Sequence, residues 1–124
     1  MIIEDWREYL KNEREKYKKM LSIKCPAFSN ENVHFNRYGF DHIVFKDGIP
    51  RPQEEVIERF KFLPYVPSLL KKITGVDNEE KRIKNQSIAY FWTIKHSISN
   101  RLHLRIIIRR LNDGRLHFFS VMKE

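Results

Sequence analysis

Three strand-forming runs in the last third of the sequence constrain the fold most strongly. They read SIAYFWTIKH, RLHLRIIIRRL and RLHFFSVM, and the short polar segments SISN and NDG separate them. β-Branched and aromatic residues favour strands, and Asp-Gly tolerates the backbone conformation that a tight hairpin turn requires. The pattern predicts a three-stranded antiparallel meander in this part of the chain.

The hairpin turn predicts which residues of the second and third runs face each other. With Asp113-Gly114 as a two-residue turn, the pairing runs outward from Asn112 and Arg115. One face then carries Arg109 opposite Phe118, Ile107 opposite Ser120, and Arg105 opposite Met122. The other face carries Ile108 opposite Phe119 and Ile106 opposite Val121, with His117 on the same side. Because this second face is continuous hydrocarbon, it is expected to pack on helices.

The first run fits the meander in two registers, and burial decides between them. If the connection around residues 98–100 has an odd length, Trp92 and Ile94 join the hydrocarbon face while Thr93 and Lys95 join the opposite one. An even connection would invert the strand. The odd connection is preferred because it buries more apolar surface.

The earlier part of the chain is predicted to be mostly helical. Apolar residues recur at helical spacing over residues 2–21, and two shorter helices are predicted between Pro52 and Pro64 and over residues 67–73. A strand is expected at residues 42–45, whereas VDNEEKRIKNQ lacks periodicity and is interpreted as a polar connector. The predicted fold is α+β in one domain, residues 1–124, with N-terminal helices followed by a curved antiparallel β-sheet.

Charge is segregated along the chain. The formal net charge is +8. Residues 1–80 contain 14 Lys and Arg against 14 Asp and Glu, whereas residues 81–124 contain 10 Lys and Arg against Asp113 and Glu124. The whole excess therefore lies in the last third of the chain, where it predicts a surface for a polyanion, nucleic acid first.

The sequence also disfavours several classes of protein. No apolar run approaches the roughly 18 to 20 residues of a membrane span, and no signal peptide opens the chain, so a cytoplasmic protein is expected. Cys25 is the one cysteine, and the five histidines lack the spacing of a zinc site. The four glycines are scattered singly and form no phosphate loop. Neither a metal nor another cofactor is expected.

The face opposite the hydrocarbon is the predicted binding surface. It is almost free of acidic residues, whereas a face that only solubilises a sheet mixes both signs. The predicted nucleic-acid contacts are Thr93, Lys95, Arg101, Arg109 and Arg110, with Phe91, Ile107 and Phe118 available to touch bases or sugars. The alternative is that these arginines are solvated residues that keep an antiparallel sheet soluble.

Residues that suit RNA cleavage without a metal fall on or near this face. Such cleavage needs a base for the 2′-OH, an acid for the leaving 5′-oxygen and cations for the charged phosphorane. The candidate catalytic residues are His42, His103, Arg105 and Ser120. The general base stays open between His42, His103 and His117.

Two segments, HIVFKDGIPRPQEEVIERFKFLP and RLHLRIIIRRLNDGRLHFFSVM, resemble the barnase–EndoU–colicin E5/D–RelE (BECR) class of ribonuclease domains. The resemblance covers roughly residues 40–122 and is to small phage or mobile-element proteins. It implies helices, then a curved sheet whose open face cleaves RNA without metal. The positions implied are His42, His103, Arg105, Arg109 and Ser120. Neither late strand carries a counterpart of the barnase branch's catalytic glutamate, which points to His or Lys as the base.

Three functions follow for the basic face. The leading prediction is a small toxin-like ribonuclease that acts on RNA, for which the resemblance implies an antitoxin or inhibitor protein as partner. The second is a nucleic-acid-binding module without catalysis. The third is an adaptor that docks an acidic protein. The convergence of His, Lys and Ser favours the enzyme, because a binding module has no use for that combination.

Overall fold

A computed structural model of the protein describes residues 5–124, which form a mixed α+β structure. The α-helices are α1 (Trp6–Lys18), α2 (Arg37–Val44), α3 (Gln53–Phe62) and α4 (Val66–Lys72), with single 3-10 turns at Pro26–Phe28 and Leu63–Tyr65. The strands are β1 (Ser22–Cys25), β2 (Glu31–His34), β3 (Phe45–Lys46), β4 (Ile49–Pro50), β5 (Asn78–Lys84), β6 (Ser87–Ser97), β7 (His103–Leu111) and β8 (Leu116–Lys123).

Six of the strands form one sheet, in the order β1-β2-β8-β7-β6-β5. The predicted meander is confirmed as β6, β7 and β8. All neighbours are antiparallel except β2 and β8, which run parallel and pair at Val33 with Leu116 and at His34 with His117. Strands β3 and β4 make a separate hairpin. The meander therefore lies inside a larger sheet, with β8 between β2 and β7.

The register between β6 and β7 confirms the odd connection. Ser97 pairs with His103, so five residues join the two strands. Trp92 pairs with Ile108, and Lys95 pairs with Arg105. The apolar side chains of both strands therefore share one face, as burial predicted, and the basic residues share the other.

The register between β7 and β8 follows the prediction only as far as a β-bulge. Ile107 pairs with Ser120 and Arg105 with Met122, as expected, but the register shifts between Ile107 and Ile108. Beyond the shift, Ile108 pairs with Phe118 and Arg109 pairs with His117. The hairpin turn lies one residue earlier than predicted, because the Gly114 N–H donates to the Leu111 carbonyl at 2.8 Å.

One face of the sheet, here called the core face, is fully covered. It consists of Ile94, Leu104, Ile106, Ile108, Phe118 and Val121, each at most 1% exposed. These residues join one hydrophobic cluster with Tyr17 of α1, Phe40 of α2 and Leu70 of α4. The other face, here called the open face, carries the half-buried or exposed residues Phe91, Thr93, Lys95, Arg105, Ile107 and Arg109.

The prediction of a strand at residues 42–45 is wrong, because most of that segment belongs to helix α2. The Asn36 side chain caps the helix by accepting from the Tyr38 N–H at 3.1 Å. Phe40, Ile43 and Val44 lie at helical spacing and are buried together. The aromatic and β-branched character of this segment therefore serves a helix face, and only Phe45 begins the short strand β3.

The prediction of a polar connector over residues 76–86 is also wrong, because most of this segment is strand β5. All seven of its residues are exposed, and it pairs with β6 from Asn78 opposite Thr93 to Lys84 opposite Ser87. Since an exposed edge strand needs no alternation of apolar residues, the sequence carried no periodic signal.

The predicted helices lie close to their expected positions. Helix α1 begins after Asp5, whose carboxylate accepts from the Glu8 N–H at 3.0 Å. The part of the predicted first helix that covers residues 2–4 lies outside the described residues. Within the described residues, no helix is long and apolar enough to cross a membrane.

Candidate nucleic-acid interface

The predicted residues at the start of β7, His103 and Arg105, form hydrogen bonds with neighbouring side chains. Arg105 Nε–H donates to Glu124 Oε2 at 2.7 Å, and Lys95 Nζ lies 3.3 Å from the other oxygen of that carboxylate. These bonds hold the pKa of Glu124 below its ordinary value. His103 lies at the start of the strand, where its Nδ1 is 2.6 Å from the Ser97 hydroxyl. This end of the open face is therefore cationic but partly neutralised.

Ser120 is on the side of Ile107 but is not accessible from outside. Its side chain is fully buried, and its hydroxyl accepts a 2.8 Å hydrogen bond from Arg59 of α3. Another predicted contact, Arg110, lies on the core side. It donates to Glu31 at 2.7 Å and to the Gly114 carbonyl at 3.0 Å.

The remaining predicted residues are distributed along the open face. Arg101 is exposed in the connection between β6 and β7, and Thr93 is half-buried beside Ile107. Phe118, expected to touch bases, belongs to the core face. The structure therefore places His103 and Arg105 at the Glu124 end of the face, whereas His42 stacks on Phe119, which also contacts Arg109. Ser120 follows Phe119 in β8 but is buried under Arg59.

The bulge in β8 builds a different cluster around Arg109. Regular alternation from Ser120 would have put His117 on the core face, as the sequence predicted; the shifted register pairs it with Arg109 instead. Arg109 Nε–H donates to His117 Nε2 at 2.9 Å. That nitrogen accepts, so the imidazole is neutral. Burial first, and Arg109 second, lower the pKa of His117 to about 4.

Two aromatic rings hold the Arg109 guanidinium. Its central carbon lies 4.4 Å from the centroid of Phe119 and 5.4 Å from that of Tyr38. With Nε committed to His117, Nη1 and Nη2 have no hydrogen-bond partner within residues 5–124. A planar cation with two adjacent free donors is the arrangement that binds a phosphate through two hydrogen bonds.

His42 of α2 approaches the same ring. Its imidazole stacks on Phe119, with the ring centroids 4.1 Å apart. Arg51 donates from Nη2 to His42 Nε2 at 3.2 Å and from Nε to the His42 carbonyl at 2.9 Å. Burial and then the positive charges of Arg51, Arg59 and Arg109 lower the pKa of His42 to about 4. This imidazole is therefore also neutral at pH 7.

Glu55 forms ion pairs with two of those arginines. Its Oε1 accepts from Arg51 at 2.9 Å and from Arg59 at 3.1 Å. Arg59 is 9% exposed, and its Nε is buried without a hydrogen-bond partner among the described residues. Three guanidiniums therefore surround His42 with this carboxylate shared between two of them, which leaves an excess of positive charge.

Tyr38 and His42 reach the cluster from one face of α2. They are four residues apart, one helical turn, so their side chains are neighbours on the helix surface. Tyr38 is 44% exposed, and its ring centroid lies 5.7 Å from that of His117. The candidate site, here called the Arg109 cluster, comprises Tyr38, His42, Arg51, Arg109, His117 and Phe119.

For some of these residues and their neighbours, the sequence contains a spacing pattern from which their position on a common face could have been predicted. Arg51, Glu55 and Arg59 recur every four residues, as ion pairs on one helix face do. Tyr38 and His42 have the same spacing, but it is informative only once residues 37–44 are known to be a helix. Phe119 and His117 depend on the bulge, for which the sequence offers no marker.

Among residues 5–124, no group of three or more His, Cys, Asp and Glu is placed to hold a metal ion. No protein-family model, curated protein or solved structure matches the chain. The geometry of the Arg109 cluster is therefore the basis for assigning a function.

Proposed function

We propose that the protein is an endoribonuclease that cleaves RNA at the Arg109 cluster without a metal ion. The observation that carries the proposal is the Arg109 guanidinium, held between Tyr38 and Phe119 with Nη1 and Nη2 free. It is bonded to the neutral imidazole of His117, and the neutral imidazole of His42 stacks on the same Phe119 ring. The combination supplies a phosphate anchor and proton-transfer groups within one cluster. The toxin-like character and cytoplasmic location belong to the proposal as well.

In the proposed reaction, Arg109 binds the scissile phosphate through Nη1 and Nη2. The 2′-oxygen of the preceding ribose attacks phosphorus, and the bond from phosphorus to the 5′-oxygen breaks. The products are a 2′,3′-cyclic phosphate and a 5′-hydroxyl. A second negative charge develops on the phosphoryl oxygens in the transition state, so fixed guanidinium donors stabilise it more than the ground state.

His42 is the proposed base, and Tyr38 the proposed acid. The neutral imidazole of His42 accepts the proton of the 2′-hydroxyl, and the Tyr38 hydroxyl donates a proton to the leaving 5′-oxygen. In the structure, Arg51 donates a hydrogen bond to His42 Nε2. Proton transfer to that nitrogen requires Arg51 Nη2 to leave it, while Nη1 stays bound to Glu55.

The test is cleavage of labelled RNA by the purified protein in EDTA. Wild-type protein is expected to cut RNA and to leave cyclic phosphate ends, while Arg109→Ala and His42→Ala lose cleavage. Arg115→Ala is the matched control, because Arg115 is an exposed arginine near the same hairpin. Cleavage retained by Arg109→Ala, or cleavage that requires a divalent cation, contradicts the proposal.

A nucleic-acid-binding module without catalysis is the second candidate. The observation in its favour is that the Nε2 atoms of both imidazoles already accept hydrogen bonds from arginines. In that case the cluster would anchor phosphate and nothing more. Intact RNA together with salt-sensitive binding that Arg109→Ala weakens would identify this function.

The resemblance to the barnase–EndoU–colicin E5/D–RelE class is part of the same proposal. Helices that precede an antiparallel meander with an open cationic face support it. An acidic antitoxin or inhibitor protein that covers Arg109 would fit the charge of this face. The adaptor alternative predicts binding of such a protein with no interaction with RNA at all.

A further inference from the structure

A row of stacked rings and guanidiniums extends the Arg109 cluster across the open face. The central carbon of Arg82, on β5, lies 4.4 Å from the centroid of Phe91 on β6. Phe91 meets Phe119 edge to face, with the centroids 5.5 Å apart. Phe119 in turn contacts Arg109. The row therefore crosses the sheet from its edge strand to the proposed site of cleavage.

The row offers flat surfaces rather than a line of phosphate contacts. Glu80 accepts from Arg82 Nε at 2.8 Å and from Nη2 at 3.0 Å, which fixes the plane of the guanidinium and balances its charge. Phe91 is half-buried, whereas the Phe119 ring is already covered by Arg109 and the His42 imidazole. Nucleobases stack on aromatic rings and on arginine planes, but only when they are not paired in a helix.

The spacing between neighbouring strands gives the length of this row. Neighbouring strands lie about 4.8 Å apart, so the three steps from β5 to β8 span roughly 15 Å. That distance holds more than one nucleotide beside the phosphate bound at Arg109. Bases next to the scissile bond can therefore contact side chains of β6 and β5.

We infer that Arg82 and Phe91, the part of the row that Arg109 and His42 do not cover, form a stacking track for unpaired nucleotides, so that the substrate is single-stranded RNA. The inference rests on the proposed function for the position of the scissile phosphate, but not for the stacking itself. Arg109 holds the phosphate, and the track holds the bases next to it. A duplex keeps its bases inside the helix and presents none to this track.

The neighbouring residue of β6 provides a matched control on the other side of the sheet. Tyr90 stacks on Trp92, with centroids 5.9 Å apart, and Lys81 lies 5.8 Å from the Tyr90 ring. It is half-buried, as Phe91 is, but it belongs to the side of Ile94 and Ile108. Tyr90→Ala therefore removes a comparable ring without touching the track.

The experiment measures binding and cleavage separately. Binding uses a short RNA that carries 2′-O-methyl groups and cannot be cut, as a single strand and as a duplex with its complement. The wild type is expected to bind the single strand more tightly, and Phe91→Ala to weaken that binding about tenfold while Tyr90→Ala does not. Phe91→Trp should preserve it, and thermal unfolding shows that each variant is folded.

The outcomes distinguish this inference from the function. Equal affinity for single strand and duplex, or equal effects of Phe91→Ala and Tyr90→Ala, overturns the track even where unmodified RNA is cleaved. Single-strand preference that depends on Phe91, without cleavage of unmodified RNA, supports the track and overturns the enzyme. Binding of an acidic protein in place of both RNA forms overturns both.

Discussion

Arg109 is held in place by its surroundings before any ligand binds. Two rings and one imidazole fix a side chain that is otherwise among the most flexible. The entropy of ordering that side chain is therefore lost on folding rather than on binding. The same contacts use the planarity of the guanidinium, which an ammonium group lacks.

Arg109→Lys is therefore expected to behave like a deletion. Lysine keeps the charge but cannot stack on Phe119, donate to His117 and bind phosphate through two donors at once. We expect kcat/KM for RNA cleavage to fall ~100-fold, as for the loss of one transition-state donor. Arg115→Lys serves as the control. Retention of most of the activity by Arg109→Lys would contradict the bidentate contact.

The half-buried imidazole of His42 and the buried imidazole of His117 are expected to titrate with pKa values far below the ordinary histidine value. NMR titration of the ring protons should give midpoints near 4 for His42 and His117, against 6.5 for an unperturbed histidine. The unfolded chain takes up these protons at the higher pH, so the free energy of unfolding falls as pH drops from about 6.5 towards 4. Midpoints near 6.5 would show that the rings are solvated.

Ser120→Ala is expected to act on stability. The Ser120 hydroxyl is the nearer of two buried acceptors for Arg59 Nη1, at 2.8 Å against 3.4 Å for the Val121 carbonyl, and Arg59 Nε already lacks a partner among the described residues. Removal of that acceptor should lower the free energy of unfolding by ~1–3 kcal/mol, measured by denaturant titration. A loss of cleavage with unchanged stability would instead support the catalytic role predicted from sequence.

At the scale of elements, helix α2 carries the site because it lies very close to β8. A Cβ atom on Gly39 would come within 2.5 Å of the Phe118 carbonyl oxygen and 2.6 Å of the Tyr17 hydroxyl. No side chain fits between the helix and the strand at this point. That close approach places Tyr38 and His42, on either side of Gly39 in sequence, against the residues of the bulge.

Gly39→Ala should therefore separate α2 from β8. Overpacking against a backbone carbonyl typically costs ~1–3 kcal/mol or more, and the displaced helix carries Tyr38 and His42 with it. We expect a lower unfolding midpoint and weaker RNA binding. Gly75→Ala is the control, because its added Cβ would meet no atom within 4 Å. An unchanged unfolding midpoint for Gly39→Ala would contradict the close contact.

The elements differ in how far the sequence could predict them. Alternation and turn residues were sufficient for β6, β7 and β8, because those strands bury one face. Strand β5 buries no side chain, so no pattern marks it. Helix α2 has only eight residues, and its apolar side chains fit a strand as well as a helix. Its Asn36 cap was the sequence feature that favoured the helix.

For the whole molecule, tertiary contacts redistribute the charge that the sequence assigns to the last third of the chain. The basic excess of residues 81–124 does lie on the sheet that carries the open face. Glu124, however, partly neutralises Arg105 and Lys95 at one end, while Arg51 and Arg59 from the neutral part of the chain add charge at the other. Tertiary contacts between distant segments produce this shift, and no local pattern records them.

RNA binding by the whole protein should be strongly dependent on salt. Each phosphate contact to a single strand contributes about −0.7 to the slope of log K against log salt concentration. Arg109→Ala should make the slope about 0.7 less steep, measured by fluorescence anisotropy with the uncleavable single strand. Lys19→Ala, which removes an exposed lysine at the end of helix α1 that makes no contact with the Arg109 cluster, should leave it unchanged. A slope near zero for the wild type would exclude phosphate contacts as the source of affinity.

The position of β8 also governs when the site can form during folding. This strand comes last in chain order among the described elements, yet it lies between β2 and β7 and pairs His34 with His117. Pairing across such a long stretch of chain is slow, because loop-closure entropy is lost before the contacts form. The Arg109 cluster needs both β8 and α2, so any ribonuclease activity should appear only in the last step of folding. A nascent chain without β8 would therefore be inactive while it is being synthesised.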